Sequence, residues 1–249
     1  GIRALKEKLG TLAPKESGRK LVGDLLQPGD LAVLVTPIDE SAPKGRMILP
    51  QVQMIRDILD ANAASLVVKE TELAVVLQKL GVKPSMVITD SQVFKTVAQI
   101  VPDDIPLTSF SILMARYKGF IETAVDGIAA LRHLETGDTI LIAEGCTHHR
   151  QCNDIGTIKI PNWLRAFTGN RVGIETCSGT EFPEDLSKYK VILHCGGCML
   201  SEREIQYRMN CALDQQVPFT NYGLTIAHMQ GILARSLRLF PGLEEKIAD

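Results

Sequence analysis

Two short segments of this sequence carry residue types that hold metals or move electrons: Cys146-Thr147-His148-His149 and His194-Cys195-Gly196-Gly197-Cys198. Thiolates and imidazoles are the donors that zinc and iron–sulfur clusters select. A Cys-x-x-Cys turn brings two sulfurs to one centre, and its glycines let the backbone bend tightly and leave room for a bulky group. Cys146, Cys195 and Cys198, with His148 and His194 beside them, suit a closed zinc site of three cysteines and one histidine. They equally suit a 4Fe–4S cluster that leaves one iron to a weaker ligand. A Cys-x-x-Cys after a strand is also the setting of a thiol–disulfide redox domain, which gives Cys146 no part. The spacing alone leaves these three chemistries open. Cys152, Cys177 and Cys211 read as spare or buried thiols, and His133 and His228 as helix residues without a ligand role.

The rest of the chain must bring the two segments together. Apolar runs at 31–35, 65–68, 85–89, 139–143, 171–176 and 191–194, with weaker ones at 106–110 and 218–221, read as strands, several of them continuous enough for burial on both faces. Helical patterns occupy 51–60, 70–80, 111–134 with a break near Gly119, 161–167, 201–213 and 223–239. Asp90 or Ser91 is placed to cap a helix, and Gly81 to end one. This alternation predicts an α/β fold of two consecutive small parallel-sheet, Rossmann-like domains. Thr136-Gly137-Asp138 echoes Pro28-Gly29-Asp30, each just ahead of a strand. The expected division is a linker over 1–20, one domain over 21–130 and a second over 131–249. Each ligand-bearing segment directly follows a strand. Open parallel sheets bind at the carboxyl ends of their strands, so both segments are expected at one rim. The glycine turn also runs towards a helix whose first amides would favour thiolates.

Composition narrows the function classes. The chain has 249 residues, 45% of them hydrophobic and 22% charged, enough for a true core. Its net charge is −2, from 27 basic and 29 acidic side chains, and aromatics are only 5%. A nucleic-acid partner is therefore not expected. No apolar run is long enough to span a bilayer, and the opening Gly1-Ile2-Arg3-Ala4-Leu5-Lys6-Glu7-Lys8 has no signal-peptide core. The expected setting is cytoplasmic and reducing, without a membrane, where clustered cysteines mean metal or redox chemistry more often than disulfides. There is no phosphate loop, no Gly-x-Gly-x-x-Gly after the first strand and no Gly-x-Ser-x-Gly elbow. The chain itself is thus expected to be non-catalytic. Its start at Gly1 reads as that of a piece of something longer.

Several motifs in order carry a more specific resemblance. Cys146-x-His148, a gap of 45 residues, then His194-Cys195-x-x-Cys198 is similar to the cluster-binding signature of the HydF family, the scaffold proteins of iron–iron hydrogenase maturation. So are Leu34-Val35-Thr36-Pro37-Ile38-Asp39, Ala42-Pro43-Lys44-Gly45-Arg46, Ile48-Leu49-Pro50-Gln51-Val52-Gln53, Leu107-Thr108-Ser109-Phe110-Ser111-Ile112-Leu113 and Cys195-Gly196-Gly197-Cys198-Met199. The resemblance covers nearly the whole chain from about residue 20. It implies that 21–130 is a dimerisation domain and 131–249 a cluster-binding domain, and that the family's GTPase domain lies outside this chain. It also implies a 4Fe–4S cluster on Cys146, Cys195 and Cys198, with a ligand role for His148 and His194 that varies within the family. The implied cargo is a di-iron precursor carrying carbonyl and cyanide ligands. Two radical-SAM enzymes would make it, and a homodimer or tetramer of the scaffold would deliver it to apo iron–iron hydrogenase. Such a cargo is anionic, and His149, Arg150 and Lys159 form a basic edge suited to attracting it.

Overall fold

Valine, isoleucine and leucine in unbroken runs leave no polar face for water, so the strands they form have to be covered on both sides. The computed structural model, which describes residues 18–38, 47–145, 154–169 and 171–247, covers them in two parallel sheets. The first holds β1 (Leu31–Val35), β2 (Ala64–Val68), β3 (Met86–Thr89) and β4 (Leu107–Ser109) in the order β2-β1-β3-β4. The second holds β5 (Thr139–Glu144), β6 (Gly173–Ser178), β7 (Val191–His194) and β8 (Phe219–Asn221) in the order β6-β5-β7-β8. Every pairing in both sheets is parallel, as the α/β reading requires.

The described α-helices of five residues or more are α1 (Leu49–Asp60), α2 (Leu73–Lys79), α3 (Phe94–Ile100), α4 (Phe110–Tyr117), α5 (Ile121–Gly127), α6 (Ile160–Thr168), α7 (Glu202–Asp214), α8 (Tyr222–Met229) and α9 (Leu233–Leu237). None of the described helices is long and apolar enough to cross a membrane. The helical stretch over 111–134 breaks at Gly119, where the sequence placed it, with a φ of 77° that only glycine adopts freely. There the Phe120 amide turns back to Ala115 O at 3.0 Å. The stretch 223–239 breaks in the same way at Gly231, φ 72°. Ahead of α6, a π-helical turn over Ile155–Lys159 hangs from Asp154, whose Oδ1 accepts from the Gly156 and Thr157 amides at 3.0 and 2.9 Å. Apolar spacing carries no sign of that turn.

The two halves repeat one plan. Asp30 Oδ2 accepts from Gln27 N at 2.7 Å and Asp138 Oδ2 from Glu135 N at 2.8 Å, beside Gly29 and Gly137 at φ 89° and 97°. The echo between the two Gly-Asp pairs is therefore a repeated turn. Ser109 caps α4 after β4, and Asn221 caps α8 after β8. These two helix starts meet: Ser111 Oγ lies 3.2 Å from Asn221 Oδ1 and accepts from Gly223 N at 3.2 Å. A Cβ on Gly223 would fall 2.9 Å from Ser109 Oγ, and one on Gly127 would fall 2.3 Å from Phe219 O. Side chains are thus excluded where the halves touch. α5 already packs on β8, ahead of the division expected near residue 130. One cluster of buried apolar residues runs through both halves. As a result β4 and β8, edges of their own sheets, are buried, while the outer edges β2 and β6 stay largely exposed.

Candidate metal centre

In each sheet the chain leaves the first strand one way and returns on its other side, so the order reverses between β5 and β7. Ligands of open α/β sheets sit outside the carboxyl ends of the strands at such a switch point. β5 and β7 are direct neighbours, with Ala143 opposite His194, and Cys195 N donates to Ala143 O at 2.9 Å. The Cys-Gly-Gly-Cys loop therefore starts beside the end of the strand that leads into Cys146. Gly145, the residue before Cys146, donates its amide to Cys195 Sγ at 3.1 Å, and Gly197 adds a second amide at 3.4 Å. Amides aimed at a sulfur favour its thiolate form and tune the sulfurs of iron–sulfur sites.

The loop's shape depends on its glycines. Gly197 has φ 64°, and a Cβ there would lie 2.5 Å from Ile205 Cδ1. A Cβ on Gly145 would lie 2.7 Å from Leu200 Cγ. Gly197→Ala is expected to cost about 2 kcal/mol, from the left-handed backbone plus the clash, and to loosen the turn that orients Cys198. Urea unfolding of the two proteins checks this. Burial raises the Cys198 thiol, opposed by the Met199 amide, its own amide and the Lys118 charge. The amides serving Cys195 come from glycines rather than from the next helix: at the start of α7, Ser201 Oγ takes the Glu204 amide at 3.2 Å, and Glu202 and Glu204 occupy the first turn.

His194 is fully buried beneath the loop. Its Nδ1–H donates to Cys195 O at 2.8 Å, and its Nε2 lies 3.4 Å from Arg208 Nη1. Its ring stacks on Phe219, with centroids 5.5 Å apart. Desolvation pushes its pKa down to about 4 against the Cys195 carbonyl bond that raises it, with Arg208 lowering it further, so the ring is neutral at pH 7. In this geometry both ring nitrogens face protein partners. Arg208, 1% exposed, completes the support. It pairs with Glu204 Oε1 at 2.8 Å, donates to Gly179 O and lies 5.2 Å over the Phe182 ring.

The structure places His194, Cys195 and Cys198 on one stretch at the carboxyl end of β7. Cys146, His148, His149, Arg150 and Cys152 lie outside the described residues. Among the described residues no group of three or more histidine, cysteine or acidic side chains forms a metal-binding set. Lys159 donates to Gln92 Oε1 of the first half. Cys177 is the second-last residue of β6, and burial raises its thiol to about 11. Cys211 is a half-buried thiol on α7.

Composition and spacing did not single out Glu144, Asp154, Tyr222 or Lys118. Glu144 and Asp154 are 3% and 1% exposed. The Tyr222 hydroxyl, raised well above its usual value first by burial, also feels Cys195, Glu144 and Asp154. A charged residue closing the apolar run of β5, just before Gly145 and Cys146, was the available signal for Glu144.

Two of the three predicted cysteine donors, Cys195 and Cys198, are among the described residues. Cys195 and Cys198 are half-buried thiols on a loop whose two middle residues have no side chain, and backbone amides point at Cys195 Sγ. Two protein-family models match the chain: the hydrogen maturase F dimerization domain over residues 21–119 and the hydrogen maturase F tetramerization domain over 122–239. A search of curated proteins found no match.

Proposed function

Because the chain belongs to the hydrogen maturase F (HydF) family, and so takes part in hydrogenase maturation, we propose that it is that pathway's iron–sulfur scaffold, holding a 4Fe–4S cluster on Cys146, Cys195 and Cys198. The observation that carries this reading is the Gly145 amide on Cys195 Sγ, which ties the end of β5 to the Cys-Gly-Gly-Cys loop at the switch point. When bound, a cluster held by three thiolates supplies one exchangeable iron position. The protein's own residues do the rest. Gly145 and Gly197 direct amides at the sulfur, and the glycine turn sets the spacing of Cys195 and Cys198. His194 and Arg208 hold the loop from beneath, and outer supports of this kind keep ligands oriented. His148 belongs to the same motif.

The substrate in this reading is the anionic di-iron carbonyl–cyanide precursor, received from radical-SAM enzymes and passed to apo iron–iron hydrogenase. Of the basic residues His149, Arg150 and Lys159 near the first motif in sequence, Arg150 is the one expected to attract it, since Lys159 is engaged by Gln92. The chain, loaded by those enzymes, is expected to confer hydrogen evolution on apo-hydrogenase, whereas chain carrying the cluster alone is not. Equal activation by both preparations would contradict the carrier role.

The dimerization and tetramerization domains make this a self-associating chain. We place the dimer contact on the exposed edge β2 and the outer face of α1, where Leu49, Val52 and Leu59 lie exposed at helical spacing. An apolar stripe beside an unpaired strand edge invites a second copy. Val52→Glu with Leu59→Glu is expected to weaken self-association at least tenfold, read by sedimentation, since two charges would be buried without partners.

A further inference from the structure

Lys118 follows α4 in the first half of the chain and is only 8% exposed. Its Nζ donates to Leu200 O at 2.6 Å, two residues beyond Cys198. The clamp is two-sided: Gln206 of α7 donates its side-chain amide to the carbonyls of Lys118 and Gly119 at 3.0 and 3.2 Å. Among the described residues no carboxylate ion-pairs with this ammonium, and Glu202, whose charge it feels, is bound to Arg19. A largely buried cation without a carboxylate is costly unless another negative group balances it. Burial lowers the Lys118 pKa, opposed by Cys198 and then by Glu202. A site of three thiolates is anionic, and on the proposed reading the cluster it holds leaves that site anionic.

We infer that Lys118 is a positioning residue of the cluster site. Through Leu200 it pins the Cys-Gly-Gly-Cys loop from the neighbouring half, and its ammonium balances the negative charge of the loaded thiolates. The dimerization domain thereby contributes a residue to the metal centre. This inference rests on the proposed cluster-holding function.

The test compares wild type with Lys118→Met, Lys118→Gln and Lys118→Arg after anaerobic reconstitution. Two quantities are read: the midpoint potential of the cluster and the rate at which a chelator removes iron. Removing the positive charge disfavours the more negative reduced cluster, so Lys118→Met and Lys118→Gln are expected at a more negative potential. Iron loss in both should be about tenfold faster, the low end for outer-shell partners of a metal site. Lys118→Arg should restore the potential. Gln keeps a donor for Leu200 O without the charge, so it separates the ammonium from the hydrogen bond. It also carries the test alone should the Met variant not fold. Wild-type potential and iron loss in Lys118→Gln would overturn the inference and leave the cluster reading standing. A wild-type chain that takes up no cluster would overturn both.

Discussion

Replacing Cys195 by Ala is expected to reduce cluster assembly to background, at least tenfold below wild type, while the fold stays intact. Loading needs every thiolate of a three-cysteine site, because metal binding and site assembly are one equilibrium. The side chain itself is only half-buried and packs at the margin of the core, so its loss costs no more than about 1 kcal/mol of stability. Iron and sulfide bound per chain, with urea unfolding alongside, separate the two effects. Cys177→Ala and Cys211→Ser are expected to load as wild type does. Cys177 is held in the core as a thiol with a raised pKa, and Cys211 sits on α7 among its own neighbours. Equal loss of iron in all three variants would show that the cysteines do not divide into ligands and bystanders.

Arg208→Ala is expected to destabilise the fold more than any of the other substitutions, by about 3 kcal/mol, measured as the shift in the urea midpoint. The guanidinium is fully buried and serves Gly179 O, His194 and Glu204 together. Removing it orphans a carbonyl and an imidazole nitrogen and leaves a cavity under the loop. The lost ion pair adds less, because the Glu204 side chain is 40% exposed and can return to water. Arg208→Met fills the cavity without the donors, so it should recover part of the loss. Full recovery by Met would mean that packing, not hydrogen bonding, is what Arg208 supplies.

Much of this architecture was readable from residue order. Ile140 to Ala143 and Val191 to Leu193 are apolar without interruption, and the structure buries them as central neighbours. The break at Gly119 and the repeated Gly-Asp turn also came from residue type alone, because a left-handed backbone demands glycine. Other features depend on tertiary placement. Arg208 and Lys118 look like ordinary surface charges until Arg208 meets His194 of β7 and Lys118 meets Leu200 and Gln206. The packing of His194 has the same origin: its ring stacks on Phe219, and its nitrogens lie by Cys195 O and Arg208 Nη1, contacts that spacing does not record. The π-helical turn before α6 follows from Asp154 capping, which periodicity does not record.

At the centre stands the proposal that three cysteines hold an iron–sulfur cluster with one open iron. Anaerobic reconstitution followed by iron and sulfide analysis, with EPR of the reduced protein before and after added imidazole, tests it directly. The expected result is about four iron and four sulfide per chain, sulfide-to-iron absorption in the visible, and an EPR signal that changes when imidazole takes the open position. One zinc per chain, with no such absorption and no EPR signal, would contradict it.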